Sequence, residues 1–245
     1  MKHIREFIVL LGTAILSLPA VADSSLQAHS AVYKVKISVV NGQLNTELKA
    51  TDNGYIATHV IKPTGMSRMF SRGKINETSE FLAAADGVRP VEYSSHDTIS
   101  RDKTNAVVQF DWDNGEARGT VNGEEVISTM DGLAHDRVSI QYELMHDLLN
   151  NGPGDEYTMF EIDKLRTLHV RNIGPKAVKV PAGKYEAVGI QHQAEGSKRV
   201  TTLWCVEELG YLPVIIEQHR LGKLRFRATL SKYQPTPATT ATSMR

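Results

Sequence analysis

The sequence predicts a mainly β protein: an antiparallel meander forming a curved sheet or barrel-like structure, with one amphipathic helix packed against it. Three observations carry this prediction. Segments rich in β-branched and aromatic residues recur along the chain, tight-turn pairs separate them at the short spacing of hairpins, and a 3.6-residue apolar period occurs in one place, about 135–150.

Residues 1–22 precede that domain and read as a secretory signal peptide. Lys2, His3 and Arg5 lead into a charge-free apolar run, Phe7 to Leu18, which stops at Pro19-Ala20-Val21-Ala22. About twenty apolar residues are needed to span a bilayer, so the run is too short for a membrane anchor, and cleavage is expected after Ala22. The mature chain is therefore expected in the periplasm, with no transmembrane span.

From Ala31 the strands follow one another. Tyr33, Val35, Ile37 and Val39 alternate with Val32, Lys34 and Lys36, and Asn41-Gly42 is expected to turn the chain into Gln43 to Ala50. Asp52-Asn53-Gly54 leads into Tyr55 to Lys62, and Asp86-Gly87 separates Ile75 to Ala83 from Val88 to Ser100. Asp113-Asn114-Gly115 and Asn122-Gly123 continue the pattern. In His135 to Asn150, Val138, Tyr142, Met145 and Leu149 form a helical stripe that Ile140, Leu144 and Leu148 widen. Asp136 is placed to cap its start, and Asn151-Gly152-Pro153 to end it. Strands then return over Glu156 to Ile162, Leu165 to Ile173, Lys184 to Gln193, Arg199 to Val206, Leu212 to Arg220 and Lys223 to Tyr233. This makes residues 23–233 a single domain of two halves joined through the helix. Residues 234–245, mainly Pro, Thr, Ala and Ser, read as a disordered tail.

The chain has 28 basic and 28 acidic residues, and removal of the leader leaves 26 and 27. That balance, with no long Lys/Arg cluster, argues against a nucleic-acid partner. Cys205 is the only cysteine, so no intramolecular disulfide forms. Its neighbours in Thr202-Leu203-Trp204-Cys205-Val206 are mostly apolar, as for a packed thiol.

Four strings bring a family into view: Phe110-Asp111-Trp112-Asp113 with Gly115; Asp136-Arg137-Val138-Ser139-Ile140-Gln141-Tyr142; Val180-Pro181-Ala182-Gly183-Lys184-Tyr185; and Thr202-Leu203-Trp204 followed by Leu209-Gly210-Tyr211-Leu212-Pro213-Val214. With them the chain resembles domain of unknown function family 3108 over roughly Ala31 to Tyr233. The resemblance implies an exported, β-rich bacterial protein, with no catalytic motif to carry over. More remotely, a curved sheet with a helix against it resembles the periplasmic lipoprotein carriers, which hold acyl chains between sheet and helix.

Signatures of catalysis are scarce. HExxH, GxSxG, the P-loop, GxGxxG and CxxC do not occur in the mature chain, and Ser71-Arg72-Gly73-Lys74 matches SxxK without its companion motifs. His169, His192 and His219 fall on three strands, but without the close spacing of a metal site. Asp111 and Asp113 share a strand face beside a turn, which accounts for them. No catalytic residue, metal or cofactor is assigned. The candidate ligand-binding residues are Met66, Arg68, Met69, Phe70 and Arg72. Met66, Met69 and Phe70 fall at i, i+3 and i+4, where adaptable thioethers can cover an apolar ligand and the arginines can meet an anionic headgroup. The alternative for this segment is a helical plug closing the end of the sheet. The expected function is non-enzymatic binding of an amphiphilic or lipidic ligand. A cell-envelope interaction or scaffold role with a protein partner, and a hydrolase with an unrecognised site, are the alternatives.

Overall fold

The computed structural model describes residues 25–38, 40–69, 72–100, 103–150, 152–161 and 164–236. The leader expected at 1–22 and most of the tail expected from 234 lie outside them. Fifteen strands form one sheet: β1 His29–Ile37, β2 Val40–Ala50, β3 Tyr55–Pro63, β4 Ile75–Ala84, β5 Gly87–Asp97, β6 Asn105–Asp111, β7 Glu116–Val121, β8 Glu124–Thr129, β9 Ala134–His135, β10 Glu156–Glu161, β11 Lys164–Val180, β12 Gly183–Ala194, β13 Arg199–Val206, β14 Leu212–Arg220 and β15 Lys223–Pro235. Among the described residues one α-helix, α1 Ser139–Asn150, follows β9. The strand order is β8-β7-β6-β5-β4-β3-β2-β1-β15-β14-β13-β12-β11-β10-β9. The two halves therefore meet at β1 and β15, which pair antiparallel from His29 opposite Pro235 to Ile37 opposite Phe226. The sheet curls until β8 approaches β11, but it does not close into a barrel.

Neighbouring strands are antiparallel except β9 and β10, so the connections alternate between two rims. The front rim carries the β1–β2 turn, residues 64–69, 72–74, 98–100 and 103–104, the start of α1, and the β12–β13 and β14–β15 hairpins. Residues 51–54, 85–86, 112–115, 130–133 and 207–211 lie on the back rim.

The expected turns are found at Asp86-Gly87, Asn114-Gly115 and Asn122-Gly123. Asn122 and Gly123 have φ of 54° and 90°, as a tight hairpin requires. Asn41-Gly42 is a correction: both residues lie within β2, and the turn falls earlier, at Ser38 with φ 55°. Gly42 is paired opposite Val35, and a β carbon there would stand 3.0 Å from the Lys62 carbonyl oxygen, so the position needs glycine for closeness rather than for turning. The expected strand to Ser100 ends at Asp97, whose Oδ1 accepts the N–H groups of Ile99 and Ser100 and bends the chain away. β11 runs past Ile173 to Val180 because a bulge at Asn172/Gly174 absorbs the irregularity; Asn172 Oδ1 accepts the Gly174 N–H.

The helix begins at Ser139, not His135, which lies in β9. Asp136 caps it: Oδ1 accepts the N–H groups of Val138 and Ser139 at 2.7 and 2.9 Å, and Oδ2 accepts the Ser79 hydroxyl of β4 at 2.6 Å. At its far end Gly152, with φ 82°, donates back to the Asp147 carbonyl. Both sides of the helix are buried. Val138, Tyr142 and Met145 join the main core with Phe81, Leu48 and Phe110, while Ile140 and Leu144 meet Leu168, Ile190 and Leu203 of the second half. The wide apolar stripe is therefore a helix gripped between two walls of one curled sheet, rather than one covering a single face.

Candidate functional site

On the concave face, inward residues of neighbouring strands share register, and β11 to β14 bring Leu168, His192, Ala194, Thr201, Leu203, Ile216 and Gln218 to one side. Between this wall and α1 lies a pocket of about 280 Å³ at the front rim, with Ile140, Leu144, Leu168, Leu203 and Ile216 among its lining. Arg137, Glu161, Arg199 and Gln218 also line it and give it polar groups. The size is near the lower end of small-molecule sites, and the lining is mixed, seven apolar residues against eight polar or charged ones.

The charges around it are unequal. Arg137 Nε lies 3.4 Å from Glu77 Oε1, an oxygen that also accepts the Tyr93 hydroxyl at 2.7 Å. Burial alone would lower the Arg137 pKa, but Glu77, Tyr93, Glu161 and Asp97 hold it above its ordinary value. Glu161 is paired with Arg166 at 2.8 Å. Arg199 is exposed and makes no salt bridge among the described residues. His192 is pushed down to about 4 by burial, so it is neutral near pH 7. Arg199 thus offers a positive group without a carboxylate partner beside a cavity of mixed lining.

The expected ligand-binding segment lies at the same rim, on β3, β4 and their connection. Residues Gly65–Met69 form a short 3₁₀ turn with no buried residue, and Met66 and Met69 are 77% and 78% exposed. It is therefore not a plug in the end of the sheet. Arg68, Met69 and Arg72, with Lys62 and Lys74, line an open groove of about 750 Å³. The turn is fastened to the β1–β2 hairpin by Asn41 N–H donating to Ser67 Oγ at 3.0 Å and Thr64 N–H to the Asn41 carbonyl. Phe70 and Ser71 lie outside the described residues.

Other candidates separate. His192 faces the concave side while His169 and His219 occupy the opposite face by register, and no group of three metal-ligating side chains occurs among the described residues. Asp111 serves its turn, accepting from the backbone and side chain of Asn114, which hold its carboxyl below the usual range. Cys205 is buried, and burial raises its thiol to about 12, which leaves little thiolate for nucleophilic chemistry. Trp112 and Trp204 pack at the edge of the core, Trp112 donating Nε1–H to the Pro90 carbonyl. A larger back-rim groove of about 870 Å³ is lined by Lys179, Lys184, Glu186, Glu207 and Glu208, charges of both signs, with Ala177, Val178 and Tyr185.

The helix–sheet pocket was missed residue by residue in the sequence. Its signal was the second stripe, Ile140 and Leu144, on a helix that a single covered face would not need; Arg137 and Arg199 give no comparable signal, since only the folded register brings them to one opening.

The sequence model of the family described as "Protein of unknown function (DUF3108)" matches residues 29–229. No curated protein matches the chain. Among solved structures, the beta-barrel-like protein of domain of unknown function DUF1849 from Brucella abortus aligns with TM-score 0.58 and 12% identity, over 87% of this chain and 99% of that one. This likeness is one of fold. MucB aligns at 11% identity over 88% of this chain and 56% of that one, with TM-score 0.28. Among the described residues no helix is long and apolar enough to cross a membrane.

Proposed function

The chain belongs to the DUF3108 family of proteins of unknown function, and we propose from its site that it is an exported, non-enzymatic periplasmic protein that binds an anionic amphiphile. The observation that carries this reading is the pocket between α1 and β11–β14, where a floor of Ile140, Leu144, Leu168, Leu203 and Ile216 meets Arg137 and Arg199 at the front rim. The apolar tail enters between helix and sheet, where burying each methylene contributes about 0.8 kcal/mol. The anionic head stays at the opening beside Arg199. The leader supports export, and the buried thiol and dispersed histidines favour binding over hydrolysis. Met66, Arg68, Met69, Phe70 and Arg72 are assigned a second role, as the adaptable border that the incoming amphiphile meets.

A dansyl-labelled medium-chain fatty acid tests the assignment by fluorescence titration. Arg199→Glu is expected to weaken its binding by about tenfold or more, as loss of a charge-assisted contact and its replacement by a like charge should. An unchanged affinity would contradict the assignment of the head to Arg199. Arg199 is exposed and supports no core contact, so folding is expected to be unaffected.

The scaffold alternative has one observation in its favour. β8 ends the sheet, and Ile127 on it is 66% exposed, as an edge that takes a partner's strand would be.

A further inference from the structure

We propose that the front rim is a docking surface for an anionic lipid bilayer. The formal charge of the whole chain is zero, but the fold sorts it from end to end. The back-rim connections carry Asp52, Asp86, Asp113, Asp131, Asp155 and the Glu207-Glu208 pair, and no Lys or Arg among the described residues. Among the described residues the front-rim connections carry Arg68, Arg72, Lys74, Lys103, Arg137 and Lys198, against the buried Asp136 and the exposed Glu195. Exposed basic residues stand at strand ends on both rims, Lys36, Lys62, Arg220, Lys223 and Arg225 at the front and Lys49, Arg89, Lys179 and Lys184 at the back, where Lys49 and Arg89 are paired with Glu47 and Asp86. Glu124 and Glu125 also reach the front rim, but on β8, at the far end of the sheet.

Apolar exposure follows the basic sector. Ile37, Val40, Met66, Met69, Leu221 and Leu224 are six of the eleven exposed large apolar side chains among the described residues, and all six lie at this rim. They belong to three neighbouring hairpins, because β14, β15, β1, β2, β3 and β4 are consecutive in the sheet. Ile37 continues the inward series of Tyr33 and Val35, yet it is 44% exposed because the core ends before it.

Apolar tips ringed by cations match the interfacial zone of a bilayer, where lysine and arginine meet lipid phosphates and the apolar groups enter the acyl boundary. Three separate hairpin tips can enter a fluid interface together without needing a shaped socket for each. An acidic protein surface would answer the charges but would leave the six apolar side chains without a defined seat. The proposal goes beyond ligand binding, and places the opening of the helix–sheet pocket on the side facing the bilayer.

Vesicle flotation tests it, using protein expressed as the full chain and recovered from the periplasm. Vesicles containing phosphatidylglycerol are compared with phosphatidylcholine alone. Lys223→Glu/Arg225→Glu and, separately, Met66→Ser/Met69→Ser are each expected to lower partitioning onto anionic vesicles by about tenfold or more. The back-rim variant Lys179→Glu/Lys184→Glu should partition like wild type, and added salt should weaken binding by screening. All of these side chains are exposed, and thermal melts monitor folding. The pocket variant Ala194→Trp should leave flotation unchanged, which separates this proposal from amphiphile binding. Failure to float with anionic vesicles, equal binding to neutral ones, or partitioning untouched by both front-rim variants would overturn it.

Discussion

Asp136→Ala is expected to lower the unfolding free energy by about 4 kcal/mol, a large share of the total for a domain of this kind. The carboxylate is completely buried and accepts three hydrogen bonds: two from the first turn of α1 and one from Ser79 on β4. Alanine removes the cap, at about 1 kcal/mol, and leaves the Ser79 hydroxyl and two helix N–H groups buried without acceptors. The loss does more than shorten the helix, because Asp136 joins its start to the wall it packs on. Burial already pushes this carboxyl above its ordinary range, with the hydrogen bonds opposing the shift. Asp136→Asn keeps one amide oxygen for the helix N–H groups, so its cost should be about 1 kcal/mol. Urea unfolding measures both. A loss for alanine no greater than that for asparagine would contradict the shared role of cap and anchor.

Acidification is expected to destabilise the fold below about pH 6.5, by about 3 kcal/mol on reaching pH 5. His59 and His192 are lowered to about 4, and His135 to about 3, in each case by burial; His29 shifts in the same direction. Each is neutral in the folded chain while its unfolded counterpart takes up a proton below 6.5. Their stability contribution is therefore complete above that pH and declines towards their folded pKa values. Glu143 opposes them. Burial raises it to about 7, so between pH 4.5 and 7 the folded state holds a proton that the unfolded chain has lost, and stability falls as pH rises through that window. Asp136, also raised, acts in the Glu143 direction. The three valued histidines outweigh Glu143, giving a net loss on acidification. Glu143→Gln isolates the opposing term: its stability relative to wild type should rise by about 2–3 kcal/mol between pH 4.5 and 7.5. Thermal or urea unfolding across that range checks the sign, and a pH-independent difference would contradict the burial of the Glu143 charge.

The position of Glu143 also explains a glycine whose sequence reading was incomplete. Asp86-Gly87 reads correctly as a turn, and Gly87 has φ 129°. The same glycine makes room for Glu143, since a β carbon there would lie 2.8 Å from its Oε1, while Glu143 Oε2 accepts the Val88 N–H at 2.5 Å. Local turn chemistry was legible; the long-range contact was not, because its partner comes more than fifty residues later. Asn41-Gly42 failed for the same kind of reason. The pair carries a strong hairpin preference, but tertiary closeness between Gly42 and β3 placed it inside a strand and left the turn to Ser38. Alternation and periodicity recovered the sheet, the helix and its cap, since these depend on neighbours in sequence. The pocket depends on Arg137, Leu144, Leu203 and Ile216 from separate elements, which only the register of β11–β14 brings together. The Met66 segment lay between these cases: its basic and apolar character was readable, and its exposure and its place on the same rim as the pocket were not.

Native mass spectrometry of protein purified without detergent tests amphiphile binding most directly, with organic extraction beside it and Ala194→Trp as the comparison. Ala194 lines the pocket at the end of β12, so an indole there fills the space without removing a core side chain. The account predicts a one-to-one anionic amphiphile on the wild-type protein, or taken up when a medium-chain fatty acid is added, and its loss in Ala194→Trp. A wild-type mass that stays free of ligand under both conditions, or a ligand retained equally by the filled variant, would contradict it.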